Sequence, residues 1–251
     1  MKVDLLVDIG NSRMKWGIID PAATTIHGAA LPPDDPAAWQ RQLEAWGLGQ
    51  PLSWAVSGVA PSYRDGLVAW LRQRGDTVWV VEKASQLPLT VGLDKPDHVG
   101  IDRLLAAVAA ARHGRRSRLP AIIVDAGSAV TVDWVDEQGV FRGGAIFPGL
   151  RLMAKALNDY TALLPLVTIE QPHPPLPGLS TPQAMQAGIF HAVVGGINTL
   201  IARLNTHCSQ QPAVYLTGGD GELLHAAIDA PAEPWPEMTL EGLRLTIEAQ
   251  P

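Results

Sequence analysis

The stretch Leu5-Leu6-Val7-Asp8-Ile9-Gly10-Asn11-Ser12 decides the fold. An unbroken apolar run meets an acid, a glycine and small polar residues, and Met14 to Ile19 is mostly apolar again. That composition predicts strand, tight turn, strand. The same order returns at Ile122-Ile123-Val124-Asp125-Ala126-Gly127-Ser128-Ala129, with a further strand pattern around Val130 to Val135. The spacing is 125 − 8 = 117 residues, nearly half of the 251 in the chain. A second pair follows in the same order. Trp54-Ala55-Val56-Ser57-Gly58 leads into a helix pattern, and so does Val214-Tyr215-Leu216-Thr217-Gly218, at a spacing of 217 − 57 = 160. Two matches in one order predict a duplicated α/β domain, divided into residues 1–117 and 118–251.

The rest of the chain reads as alternating helices and strands. Helices are expected over Ala37 to Trp46, Pro61 to Arg74 and His98 to Arg112, the last closed by Gly114. Strands are expected over Leu52 to Val56 and Thr77 to Val81, and a loop over residues 21–36. Five prolines within residues 171–182 exclude regular structure there. Pro182 to about Leu204 is expected to form the longest helix, started by Ser180 or Thr181, with Ser180-x-x-Gln183 fitting a capping box.

Composition narrows the function. With 47% hydrophobic and 18% charged residues the chain is an ordinary globular protein. One cysteine excludes a disulfide framework and a cysteine-based zinc site. A net charge of −6 gives no general pull towards nucleic acid or anionic membrane. Asp4 and Asp8 interrupt the first apolar segment, so it does not read as a signal peptide. Other apolar runs are broken well short of the roughly 18 residues of a membrane span. A cytoplasmic protein without a membrane segment is the expectation.

The two Asp-x-Gly turns carry the chemistry. Gly10 and Gly127 let main-chain N–H groups approach a ligand with no Cβ in the way, and successive N–H groups form an anion-binding concavity. Asn11, Ser12, Ser128 and Thr131 can add hydrogen bonds to phosphate oxygens, and Lys15 a point charge. Asp8 and Asp125 repel phosphate unless a cation or an ordered water mediates, as Mg²⁺ does. A pair of plain β-hairpins would use the same acid and glycine as turn formers. The repetition, together with Thr217-Gly218-Gly219, favours a nucleotide clamped between two turns. No Gly-x-Gly-x-x-Gly, P-loop, His-x3-His or Gly-x-Ser-x-Gly pattern occurs.

At these residues the chain resembles the superfamily of acetate kinase, sugar kinases, heat-shock chaperones and actin. Within it, the chain is similar to type III pantothenate kinases. Asp8-Ile9-Gly10-Asn11-Ser12-Arg13 resembles their first phosphate motif and Asp125-Ala126-Gly127-Ser128-Ala129-Val130-Thr131 the second, each with Ser where Thr is usual. Gly100-Ile101-Asp102-Arg103 resembles their Gly-x-Asp-Arg motif. Gly143-Gly144-Ala145-Ile146-Phe147-Pro148-Gly149, Thr161-Ala162-Leu163-Leu164-Pro165, Thr217-Gly218-Gly219 and Leu240-Glu241-Gly242-Leu243 complete the series. The likeness runs from about Val3 to Leu243.

The resemblance implies two ribonuclease H-like (actin-like ATPase) α/β domains, each a mixed five-stranded sheet flanked by helices. It implies ATP-dependent phosphorylation of pantothenate to 4′-phosphopantothenate, the first step of coenzyme A synthesis. Asp102 would be the general base, with Gly100, Ile101, Arg103, Leu93 and Thr181 around the substrate. ATP phosphates would meet Asp8, Gly10, Asn11, Ser12, Lys15, Gly127, Ser128, Ala129, Thr131, Gly218 and Gly219. Asp8 would reach Mg²⁺ through water, and Asp125 would lie near a monovalent cation, K⁺ or NH₄⁺. Thr181 would reach into a neighbouring subunit, which implies a homodimer with composite sites. Leu93 stands where the family usually carries Tyr. Asp102-Arg103 taken alone also fits a first-turn acid beside a surface cation. Two other functions use the same scaffold: a sugar or polyphosphate kinase or phosphatase, and an accessory protein of transcription.

Overall fold

A computed structural model of the chain describes residues 2–19, 26–117 and 119–250. The fold divides into two compact units, one of Met1–Ala109 with Glu237–Pro251, the other of Ala110–Pro236. The expected division at 117/118 therefore misses twice. The boundary falls inside a helix, and the C-terminal segment belongs with the first unit.

The first unit is built on β1 (Leu5–Ile9), β2 (Met14–Ile19), β3 (Ile26–Leu31), β4 (Ser53–Gly58) and β5 (Thr77–Val81), in the order β3-β2-β1-β4-β5. β1 is antiparallel to β2 and parallel to β4. Helix α1 (Pro36–Ala45) precedes β4, and α2 (Pro61–Gln73) links β4 to β5. A two-residue strand, β6 (Thr90–Val91), and α3 (Ile101–Ser117) follow. The last helix, α7 (Met238–Glu248), packs on β1, β2 and β4. Leu5, Leu6, Val7 and Ile9 are all fully buried, the pattern of a strand covered on both faces. Trp16 and Trp54 meet edge to face at 5.0 Å in this core, and the Trp54 indole N–H donates to Asp76 Oδ2 at 3.1 Å.

The second unit repeats the plan. Its strands are β7 (Ala121–Ala126), β8 (Ala129–Val135), β9 (Val140–Pro148), β10 (Ala213–Thr217) and β11 (Ala232–Pro234), ordered β11-β10-β7-β8-β9. β7 is antiparallel to β8 and parallel to β10, as β1 is to β2 and β4. Helices α4 (Leu150–Asp159), α5 (Thr181–Asn205) and α6 (Gly221–His225) complete it. Phe190, Val193 and Ile197 of α5 pack with Ile122, Val124 and Val132 of the sheet.

Several local expectations change. Strand β3 lies inside the stretch read as a loop, whose residues 21–25 fall outside the described chain. α3 begins at Ile101, after a 3-10 turn over Pro96–His98, and runs through Gly114 to Ser117. Ser180 caps α5 by accepting from the Gln183 N–H at 3.4 Å, so Thr181 is the first helical residue. The Gln183 side chain reaches back to the Leu179 N–H at 2.9 Å, one residue earlier than a capping box requires. By length and composition α5 is apolar enough to cross a membrane, although its runs are interrupted. Here its Met185–Phe190–Ile197 side is packed against the sheet.

Candidate active site

Asp8 is the fourth residue of β1, with its carboxylate half-buried. In the ladder it stands opposite Lys15 of β2 and beside Ser57 of β4. Directly opposed residues project to one face, so the lysine and the acid serve the same surface. The chain turns at once. The Gly10 N–H donates to the Arg13 carbonyl at 3.0 Å, leaving Asn11 and Ser12 exposed at the tip. A Cβ on Gly10 would stand 3.2 Å from that carbonyl, so this tight turn favours glycine.

Asp125 holds the equivalent place in β7, opposite Thr131 of β8 and beside Thr217 of β10. The Gly127 N–H donates to the Ala129 carbonyl at 3.1 Å, and Ser128 and Ala129 are exposed. Gly149 flanks this turn, its N–H donating to the Ser128 carbonyl at 3.0 Å. A Cβ on Gly149 would collide with the Gly127 carbonyl.

The duplication extends to single hydrogen bonds. After β4, Gly58 has φ +154° and its Cβ position is filled by the Ile9 carbonyl. After β10, Gly218 has φ +94° and its Cβ position is filled by the Ala126 carbonyl. The Val59 N–H donates to Ile9 O at 3.0 Å, and the Asp220 N–H donates to Ala126 O at 2.8 Å. The Ser57 hydroxyl donates to Val81 O at 2.8 Å, and the Thr217 hydroxyl to Pro236 O at 3.2 Å. In both units a glycine lets the neighbouring strand end lean onto the residue after the acid. The Ser57 hydroxyl holds the end of β5, and the Thr217 hydroxyl the segment just after β11. Gly58, Val59 and Gly149 are site-building residues that motif reading left unassigned. Gly58 was visible only as the counterpart of Gly218.

Asp102 lies in the first turn of α3, where its Oδ1 accepts the Arg103 N–H at 2.8 Å. A Cβ on Gly100 would come within 2.6 Å of that oxygen, so the glycine of the motif makes room for the carboxylate. The same Cβ would be 3.7 Å from the Val59 side chain. Val59 thus lies near Gly100, and its N–H binds Ile9 O at the end of the Asp8 strand. Burial pushes the Asp102 carboxyl above the usual carboxylate range, against the lowering pull of the Arg103 N–H and guanidinium.

Ile101 is buried at the start of α3, and Arg103 is half-buried beside Asp102. Gly219 is exposed after β10, and Thr181 is exposed at the start of α5. Leu93 is half-buried in the segment before the 3-10 turn. Among the described residues no three His, Cys, Asp or Glu side chains gather as a metal cage. Each turn has one half-buried carboxylate, and at the first turn the single Asp8 suits a Mg²⁺ that takes most of its oxygens from phosphates and water.

A family model described as type III pantothenate kinase matches residues 4–203. The chain belongs to the type III pantothenate kinase family. A type III pantothenate kinase of Alkalilimnicola ehrlichii is 34% identical over 244 residues, covering 95% of each chain. Among solved structures, a Campylobacter jejuni protein named for the Baf family of transcriptional activators superposes with a TM-score of 0.62 at 20% identity, covering 97% of each chain. A propionate kinase of Francisella tularensis superposes with a TM-score of 0.52 at 10% identity, over 98% of this chain and 99% of that one. These two likenesses concern the fold, which is that of the actin-like ATPases and sugar kinases. Among the family-motif glycines, Gly100, Gly144, Gly149, Gly218 and Gly242 have no room for a Cβ, whereas Gly127 would accept one at ordinary contact distance.

Proposed function

We propose that this chain transfers the terminal phosphoryl group of ATP to the primary hydroxyl of pantothenate, with Asp102 as the general base. Family membership carries the reaction. The observation that supports the base is the Asp102 carboxylate, which accepts the Arg103 N–H in the first turn of α3 and has room beside the Cβ-free Gly100. The acceptor alcohol needs its proton removed as the phosphoryl group arrives, and Asp102 takes it. Arg103 pairs with the pantothenate carboxylate. Gly100, Ile101 and Leu93 line the substrate, and the smaller Leu93 leaves space that a tyrosine would fill. The N–H groups and side chains of Gly10, Asn11, Ser12, Gly127, Ser128, Ala129, Thr131, Gly218 and Gly219, with Lys15, bind the phosphates. A Mg²⁺ reached through water from Asp8, and K⁺ or NH₄⁺ at Asp125, would neutralise phosphate charge.

The same reading makes the protein a cytoplasmic homodimer. Tyr160, Leu163 and Leu179 are each about nine-tenths exposed, and Leu166 and Leu176 more than half, all on the segments joining α4 to Thr181. Monomers rarely leave so many large apolar groups bare. On α5, Gly188 and Gly195 have open space at their Cβ positions, beside exposed Ala184 and Ala192. A second copy laid there would cover both, with Thr181 at its edge. Sedimentation equilibrium is expected to give twice the 26.8 kDa chain mass, and a stable monomer would remove this part of the proposal.

Complementation tests the function in a cell. The gene is expected to restore growth to a strain lacking its own pantothenate kinase, and the Asp102→Asn allele is expected not to. Failure of the wild-type gene at normal expression would point to another acceptor of this superfamily or to an accessory role.

A further inference from the structure

We propose that the C-terminal helix α7 sets the position of Asp102 relative to the Asp8 turn, with Gly242 as the positioning residue. The inference rests on the reading of Asp102 as the base. Helix α7 lies between two parts of the site. On one side it packs against β1, β2 and β4, the strands that end at the first turn. There Leu240, fully buried, sits against Gly17 of β2, where a Cβ would be 3.0 Å from its Cδ1. On the other side Gly242 faces the backbone of Leu105 in α3. A Cβ on Gly242 would collide with the Leu105 carbonyl oxygen and stand 2.5 Å from its carbon and 3.0 Å from its Cα.

The two helices therefore touch backbone to backbone, and no rotamer change can relieve an added methyl there. Leu105 is three residues beyond Asp102, about one turn along the same helix. A shift of α3 at Leu105 moves Asp102 with it. The contact is also braced. The Thr246 hydroxyl donates to the Gly242 carbonyl at 2.7 Å, Arg244 pairs with Glu241 at 2.6 Å and with Glu248, and Gln250 Nε2 donates to Gln86 O at 2.9 Å. Asp102 is thus located by glycine contacts at both ends of one helical turn, Gly100 at its own carboxylate and Gly242 at Leu105. The Leu-Glu-Gly-Leu segment near the C-terminus gains a physical role from this contact.

The test is Gly242→Ala, read by steady-state kinetics and by the ¹³C carboxyl titration of Asp102 in aspartate-labelled protein. A carboxylate displaced by about 1 Å predicts a fall in kcat of about 10²-fold with little change in KM for ATP. The Asp102 titration midpoint is expected to move down towards the ordinary carboxylate range as burial is lost. An unchanged kcat overturns the proposal. A lowered kcat with an unmoved titration also overturns it, because the glycine is then needed only for folding. Should Gly242→Ala prove insoluble, Thr246→Val decides, with a smaller fall in kcat and the same direction of titration shift expected, and no shift contradicting the proposal. An active Asp102→Asn enzyme would remove the base reading, whereas the titration shift would still decide what Gly242 does.

Discussion

Asp102→Asn is expected to lower kcat by about 10²–10⁴-fold, the usual contribution of a positioned base. Asparagine keeps the acceptor oxygen for the Arg103 N–H, which donates to Oδ1 at 2.8 Å, so the start of α3 should survive. The variant loses only the ability to take a proton. KM for ATP should then stay within about threefold of wild type, because ground-state binding of the nucleotide is untouched. The stability change has a definite sign. Burial raises the Asp102 pKa in the folded protein. Its protonated form is therefore favoured by folding, and stability from this group is lost as pH rises through the raised pKa. At neutral pH the ionised carboxylate burdens the fold, and the neutral amide relieves it. The melting temperature of Asp102→Asn is expected to equal or exceed that of wild type. The base must be ionised to act, so wild-type kcat should fall on the acid side at a pH above the ordinary carboxylate range. That limb should be absent in the variant's residual rate. A variant with lowered stability, or an acid limb unchanged by the substitution, would contradict this account of Asp102.

Gly218→Ala is expected to have the second large effect. Gly218 adopts φ +94°, a conformation that side-chain-bearing residues avoid, and a Cβ there would run into the peptide of Ala126, 2.5 Å from its nitrogen and carbonyl carbon. Backbone strain alone costs about 1–3 kcal/mol. Relief can come only by moving Ala126 away, and Ala126 sits between Asp125 and the Gly127 turn. Calorimetry should record a lower melting temperature, by roughly 5 °C. KM for ATP is expected to rise by about tenfold, one charged hydrogen bond's worth of phosphate binding. Gly66→Ala is the control. Gly66 is exposed within α2 with nothing near its Cβ position, so alanine there should be silent or stabilising by about 0.5–1 kcal/mol. Equal effects of the two substitutions would separate Gly218 from the nucleotide site.

The duplicated plan was legible because its signal is local. Apolar strand, acid, glycine and a second strand are read from adjacent residues, and both copies lie where they were expected, as β1–β2 and β7–β8. What escaped depends on contacts distant in sequence. β3 reads Ile-His-Gly-Ala-Ala-Leu, and His27, Gly28 and Ala30 are exposed on this edge strand, so no alternation marked it. Gly114 looked like a helix stop, yet a glycine inside a helix costs only about 1 kcal/mol and α3 runs through it. Gly143-Gly144 was legible only as part of a family pattern; it lies within β9, where the Cβ position of Gly144 is filled by the Val132 carbonyl. Gly242 hid α7 in the same way, because its reason is Leu105, far back along the chain. The carboxylate of Asp102 was found through the family pattern. Its setting, with Gly242 against Leu105 one turn further along α3, has no local signature.

The central claim is that this site phosphorylates pantothenate. Purified protein incubated with Mg-ATP, K⁺ and pantothenate, followed by ³¹P NMR, tests it most directly. The expected result is a phosphomonoester signal coupled to the protons of the primary alcohol carbon, growing in step with ADP. With sugars or polyphosphate in place of pantothenate at equal ATP, no comparable transfer is expected. ATP consumed without that monoester, or faster transfer to one of the other acceptors, would contradict it.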